Sequence, residues 1–134
     1  MVDFVGAGCG AKDLITIRGL KLIQQADVII YAGSLVNQEL LEYAKPGCEI
    51  HNSALMTLDE VISVMSAAES AGKRIVRLHT GDPSLYGAIR EQMSRLDGLG
   101  ISYAVCPGVS SFCGAAAALR AEYTPPAVSQ TVII

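Results

Sequence analysis

The chain has 134 residues with a formal charge of −3; hydrophobic residues make up 51% and charged residues 17%. That length supports one domain with a core of its own, and that composition excludes a disordered chain. A pI near 5.3 speaks against a general nucleic-acid binder, and no apolar run approaches the roughly 20 residues of a membrane span. Met1 leads straight into an apolar pattern, so no signal peptide is expected.

Residues 2–7 read as a strand running into Gly6-Ala7-Gly8-Cys9-Gly10. A helix is expected over about 16–25, then a continuously apolar strand at 28–31, as when both sheet faces are covered. Residues 37–45 read as a helix closed by Pro46-Gly47, and 49–51 as a short strand. Thr57 and Glu60 form a capping-box signature for a helix to about Ala71, which Gly72 stops. A strand follows at 74–79, and Thr80-Gly81-Asp82-Pro83 makes a loop. Pro83 suits the first turn of a helix that ends near Asp97. A strand at 101–105, the turn Pro107-Gly108-Val109-Ser110-Ser111 and an Ala-rich helix to about Glu122 come next. Pro125-Pro126 breaks the chain, and 131–134 begin another strand pattern. The alternation predicts an α/β fold, a mainly parallel open sheet with helices on both faces. The apolar ending Thr131-Val-Ile-Ile134 reads as an unfinished strand, so a domain at 1–126 with 127–134 as linker to a further domain is expected.

The four cysteines, Cys9, Cys48, Cys106 and Cys113, contain no C-x-x-C pair and match no common zinc spacing, so no metal site is expected. They read as reduced thiols, three of them acting as small apolar residues. Cys9 stands apart because it sits in a glycine loop.

Ligands of open parallel sheets bind beyond the carboxyl ends of the strands. Three glycine-bearing loops, 6–13, 80–87 and 107–111, should lie there, where the backbone can approach a ligand closely. Gly6, Gly8 and Ala11 fit G-x-G-x-x-A, the dinucleotide fingerprint, or else a purely structural turn. The dinucleotide reading requires an acid at the end of the second strand; Ala32-Gly33-Ser34-Leu35 stand there instead. Gly81 and Asp82 suit contact with ligand hydroxyls or amines, while local sequence favours Asp82 as a cap for the next helix, a role compatible with backbone contact to ligand. Ser110 and Ser111 have the same two readings. His79 ends a strand at the ligand edge, as scaffold or as a base. Lys12, Arg18 and Lys21 form a basic cluster or a solvated helix face.

Taken together, the stretches Gly6–Thr16, Tyr31-Ala-Gly-Ser-Leu-Val36, His79-Thr-Gly-Asp-Pro-Ser-Leu-Tyr-Gly87 and Pro107-Gly-Val-Ser-Ser111 resemble the tetrapyrrole methylase family, in order and from Val2 to Ile134. Two of them, Tyr31–Val36 and His79–Ser84, most resemble members that methylate C11 of precorrin-4 or cobalt-precorrin-4 in cobalamin biosynthesis. The resemblance implies S-adenosylmethionine as methyl donor, a cleft between two α/β domains, a tetrapyrrole acceptor and a cytoplasmic homodimer. It places donor contacts on Gly8, Cys9, Gly10, Thr80, Gly81, Asp82, Leu85, Ser110 and Ser111, and substrate contacts on His79, Tyr86 and Ser34. The family usually has Pro where Cys9 stands, which leaves the turn less rigid. No catalytic base is assigned, since Ala32 and Gly33 occupy the position of the acid found in related uroporphyrinogen methylases. Lys12, Arg18 and Arg90 are candidates for substrate carboxylates. Residues 1–134 alone are expected to show little turnover. Another tetrapyrrole C-methyltransferase of the same family, a dinucleotide-binding oxidoreductase domain and a non-enzymatic fragment that folds and dimerises remain as alternatives.

Overall fold

The structure, a computed structural model, describes residues 1–134. Five strands form one sheet: β1 (Val2–Gly6), β2 (Val28–Tyr31), β3 (Glu49–Asn52), β4 (Ile75–His79) and β5 (Tyr103–Cys106). Their order is β3-β2-β4-β1-β5, and every pair is parallel. The helices are α1 (Ile17–Gln25), α2 (Leu58–Ser70), α3 (Ile89–Gly98) and α4 (Ser111–Leu119). None is long and apolar enough to cross a membrane.

Strand alternation sorts the core into two layers. Val2, Phe4, Val28, Ile30 and Ile75 face Val61, Ile62 and Met65 of α2 and Ile89 and Leu96 of α3. Val5, Ile29, Val76 and Leu78 face Ile23 of α1 and Leu40 on the other side. The three inner strands, β2, β4 and β1, are covered on both faces; β2 reads as an unbroken apolar run, while β1 carries Asp3 and β4 buries Arg77 and His79. The expected parallel α/β sheet with helices on both faces is therefore present, and it is wholly parallel.

Local chemistry explains the helix starts. Thr16 accepts from the Gly19 amide (3.0 Å) and so caps α1. Thr57 and Glu60 form the complete reciprocal capping box of α2. Thr57→Ala should cost about 1 kcal/mol, read as a lower denaturation midpoint with an unchanged slope against denaturant.

Four expectations are corrected. Residues 38–43 form a 3-10 helix, not an α-helix: only Leu40 of this short stretch is buried, so little packing holds a full helix. The helix expected from Pro83 starts at Ile89, because residues 83–88 turn back on themselves first. The Ala-rich helix ends at Leu119, where Arg120 takes a left-handed conformation (φ 51°). Residues 131–134 pair with no strand. Among the cysteines only Cys106 is buried; Cys9 and Cys48 are half-buried and Cys113 is exposed.

Candidate functional site

The three glycine loops meet at the carboxyl rim of the sheet. Gly8 and Gly81 form an isolated antiparallel bridge: the Gly81 amide donates to Gly8 O at 2.9 Å, and the Gly8 amide to Gly81 O at 3.2 Å. The loop after β5 closes on the same point. A Cβ at Gly108 would lie 2.1 Å from Gly81 O and 2.7 Å from Gly6 Cα. Gly6 and Gly108 thus let their backbones touch each other and Gly81 O, where any side chain on either would separate them. Gly8 (φ +81°) and Gly81 (φ +57°) also occupy the left-handed region.

Asp82 fastens the second loop to the third. Its Oδ2 accepts from the Gly108 amide (2.9 Å) and its Oδ1 from the Ser84 amide (2.8 Å). It is therefore not the cap of α3. Partial burial pushes its carboxyl upward, but the Gly108 and Ser84 bonds outweigh this and hold it below the usual carboxylate range. Asn37 ties in the remaining turn, donating from Nδ2 to Gly10 O (2.9 Å) while its Oδ1 accepts from the Glu39 amide. Sequence reasoning missed this cross-link. The visible signal was only that Asn37 could start a helix.

Two adjoining hollows share Thr80, Gly81 and Ser111 in their walls. One, of about 270 Å³, adds Gly8, Cys9 and Gly10. The other, of about 290 Å³, adds Asp82, Leu85, Tyr86 and Ser110. Each approaches the lower end of ligand-pocket sizes, about 300–1,000 Å³. Larger hollows lie elsewhere: one of about 440 Å³ around Met1 and Asp3 at the opposite rim, and an open one of about 680 Å³ against α2 and α3. Neither touches a glycine loop. All nine expected donor contacts therefore border the two rim hollows. Ser110 stands at the N-cap of α4, yet its hydroxyl makes no capping bond. The Cys9 side chain packs on α4, where a Cβ at Gly114 would come within 2.6 Å of its Sγ.

The expected substrate contacts divide. Tyr86 is 97% exposed beside the second hollow, and Ser34 is exposed in the turn after β2. His79 lies beneath the rim. Its ring is 3% exposed and stacks on Phe4, with centroids 6.1 Å apart. Burial, with the nearby Arg77 charge, lowers its pKa to about 3, so the ring is neutral. Lys12 is engaged with Glu42 (2.7 Å) and sits over the Tyr43 ring, whereas Arg18 and Arg90 are exposed.

The dinucleotide alternative loses a second requirement besides the absent acid. A pyrophosphate needs the helix to open directly on the glycine turn. Here a 3-10 turn, Lys12–Leu14, intervenes and α1 begins only at Ile17.

Converging glycine turns on the carboxyl rim of a parallel sheet define a small-molecule-binding α/β domain. The chain belongs to the tetrapyrrole methylases: the family profile "Tetrapyrrole (Corrin/Porphyrin) Methylases" matches residues 1–133. It is 60% identical to the cobalt-precorrin-4 C(11)-methyltransferase of Methanocaldococcus jannaschii, over 99% of this chain and 51% of that one. It is 47% identical to the precorrin-4 C(11)-methyltransferase of Mycobacterium tuberculosis, over 99% and 53%. The crystal structure of a cobalt precorrin-4 methyltransferase superimposes with a TM-score of 0.96 at 51% identity, over 98% of this chain and 55% of that chain. A uroporphyrin-III C-methyl transferase from Thermus thermophilus, solved with S-adenosyl homocysteine, superimposes at 0.72 with 30% identity, over 85% and 47%. The chain thus spans about half the length of the relatives it matches.

Proposed function

We propose that this chain supplies the donor-binding half of an S-adenosylmethionine-dependent C-methyltransferase that methylates C11 of precorrin-4 or cobalt-precorrin-4. The observation that carries the reading is the Gly8–Gly81 bridge with the Asp82–Gly108 bond, which together draw three loops onto one rim. In this reading residues 1–126 form the domain, 127–134 lead toward a second one, and the whole works as a cytoplasmic homodimer. Family membership and the similarity to precorrin-4 methyltransferases support it.

The residues present fit the donor. Gly8, Gly10 and Gly81 have no Cβ to hold a ligand off, and their carbonyl oxygens, each accepting one hydrogen bond from Gly81, Asn37 or Gly8, keep a second lone pair for it. Thr80, Ser110 and Ser111 add hydroxyls, and Leu85 an apolar wall. The start of α4 favours an anionic group such as the amino-acid carboxylate. Cys9 contributes packing and backbone, replacing a rigid Pro with a residue anchored on Gly114.

S-adenosylmethionine held by these residues would supply an already activated methyl for the substrate carbon, leaving S-adenosylhomocysteine. The protein's task is alignment and exclusion of water. The carboxylate of Asp82 is held by two amides, so it orders the loops instead of exchanging protons. Tyr86 and Ser34, exposed beside the rim, are placed to meet a macrocycle lying over it.

Calorimetric titration of the full-length protein with S-adenosylhomocysteine and with NADH tests the assignment. Saturable one-to-one binding of the first alone is expected. Binding of NADH instead would return the site to the dinucleotide reading.

A further inference from the structure

Arg77 is a charged residue in the middle of the central strand, and it is only 6% exposed. None of the ion pairs in the structure involves it. Burial lowers its pKa to about 10. A buried cation without an anion is costly, and an apolar residue of similar size would fill the space more cheaply. Its bonds show what it does. Nη1 donates to Ile30 O on β2 (3.1 Å), and Nε donates to Oε1 of Gln92 on α3 (3.0 Å). Gln92, also 6% exposed, passes the connection on: its Nε2 donates to Ala88 O (3.3 Å).

Ala88 is the hinge of the donor loop. It takes a left-handed conformation (φ 49°) at the start of α3, with no side-chain cap of its own. Tyr86 is left-handed too (φ 57°). Between them, Gly87 lies so close to Pro83 that a Cβ would come within 2.1 Å of Pro83 O. Two non-glycine residues in a disfavoured region need outside support to stay there. Apart from the start of α3 itself, the Gln92 bond to Ala88 O is a side-chain support that reaches this hinge from the buried layer.

We propose that Arg77 and Gln92 are positioning residues, which pin the strained Ala88 hinge to the sheet interior and so hold Thr80, Gly81, Asp82 and Leu85 in the donor-binding arrangement. The affinity part of this rests on the donor-site reading above. Arg77 acts through Gln92, and neither borders the hollows. The guanidinium's rigid fork needs Ile30 O and Gln92 Oε1 together, so it admits one placement of α3 against β4, where an apolar pair would allow several.

Gln92→Glu separates the pin from simple stability. The carboxylate still accepts from Arg77 Nε and gives the buried guanidinium the anion it lacks. Beside that cation it stays ionised, so it has no N–H for Ala88 O and sets oxygen against oxygen. The expected result for the full-length protein has three parts. The melting temperature stays at or above wild type. Amide exchange at residues 84–89 speeds up while that of β1 and β4 does not. S-adenosylhomocysteine binds roughly tenfold more weakly, the effect of one neutral hydrogen bond lost. Gln92→Met, which loses both bonds, should show the same local exchange with a lower melting temperature. Unchanged exchange at 84–89 in both variants would overturn the proposal. So would faster exchange throughout the sheet in Gln92→Glu with a matching fall in melting temperature. If wild type itself ignores S-adenosylhomocysteine, the donor reading fails, and the exchange pattern still decides whether the hinge is pinned.

Discussion

Replacing Gly108 with alanine is expected to destroy ligand binding at the rim while the same change at Gly98 does no harm. The new methyl at 108 would meet Gly81 O at 2.1 Å and Gly6 Cα at 2.7 Å, and both are backbone. Neither can swing aside as a side-chain tip would. The loops after β1, β4 and β5 must separate, breaking the contact geometry that supports the Asp82–Gly108 bond. Overpacking of this kind costs about 1–3 kcal/mol or more. At about 1.4 kcal/mol per tenfold, a strain near 3 kcal/mol falls on affinity as roughly a hundredfold loss. Gly98, at the end of α3, has open space around it and no positive φ. Alanine there should be neutral or stabilising by up to about 1 kcal/mol. Titration with S-adenosylhomocysteine and thermal melting of both variants read the contrast. Equal behaviour of the two would show that the three-loop contact is dispensable.

Acid is expected to weaken the fold through His79 before the carboxylates titrate. Its ring is neutral in the folded state, with a pKa near 3, because burial and the Arg77 charge oppose protonation. The unfolded chain takes up that proton near pH 6.5. Between these values the unfolded state binds more protons, so stability falls as pH falls. The contribution is complete above about pH 6.5 and declines by about 1.4 kcal/mol per pH unit below it, down to about pH 3. Denaturant midpoints measured from pH 7.5 to 4.5 should show this slope, and His79→Leu should remove it. A variant curve parallel to wild type would mean that the imidazole is accessible to protons in the folded chain.

Much of the fold is legible in the residues because the inner strands are rich in Val, Ile and Leu: Val28–Tyr31 is apolar on both faces, and Ile75, Val76 and Leu78 keep β4 recognisable around Arg77 and His79. The rim follows from connectivity, since loops that leave parallel strands share one edge. The side that His79 faces was legible too. It shares parity with Ile75 and Arg77 on β4, and that parity turns it toward α3 and not toward the rim. What could not be read was set by contacts distant in sequence. Pro83 looks like a helix start, and nothing local signals that Tyr86 and Ala88 will take left-handed conformations before α3 opens. Asp82 looks like a cap, and its second partner, Gly108, becomes visible only once β4 and β5 flank β1. At 38–43 the apolar spacing permits a helix, but only Leu40 finds the core, and the tighter 3-10 turn results.

The strand order has one more consequence. β4 lies between β1 and β2, so the first two strands of the chain never touch and wait for a third from far along the polypeptide. Such distant closures are slow steps in assembly. The Gly8–Gly81 bridge spans that same long-range seam between β1 and β4. If the rim holds the proposed donor, a bound donor would bridge the seam and raise the melting point of the sheet by mass action.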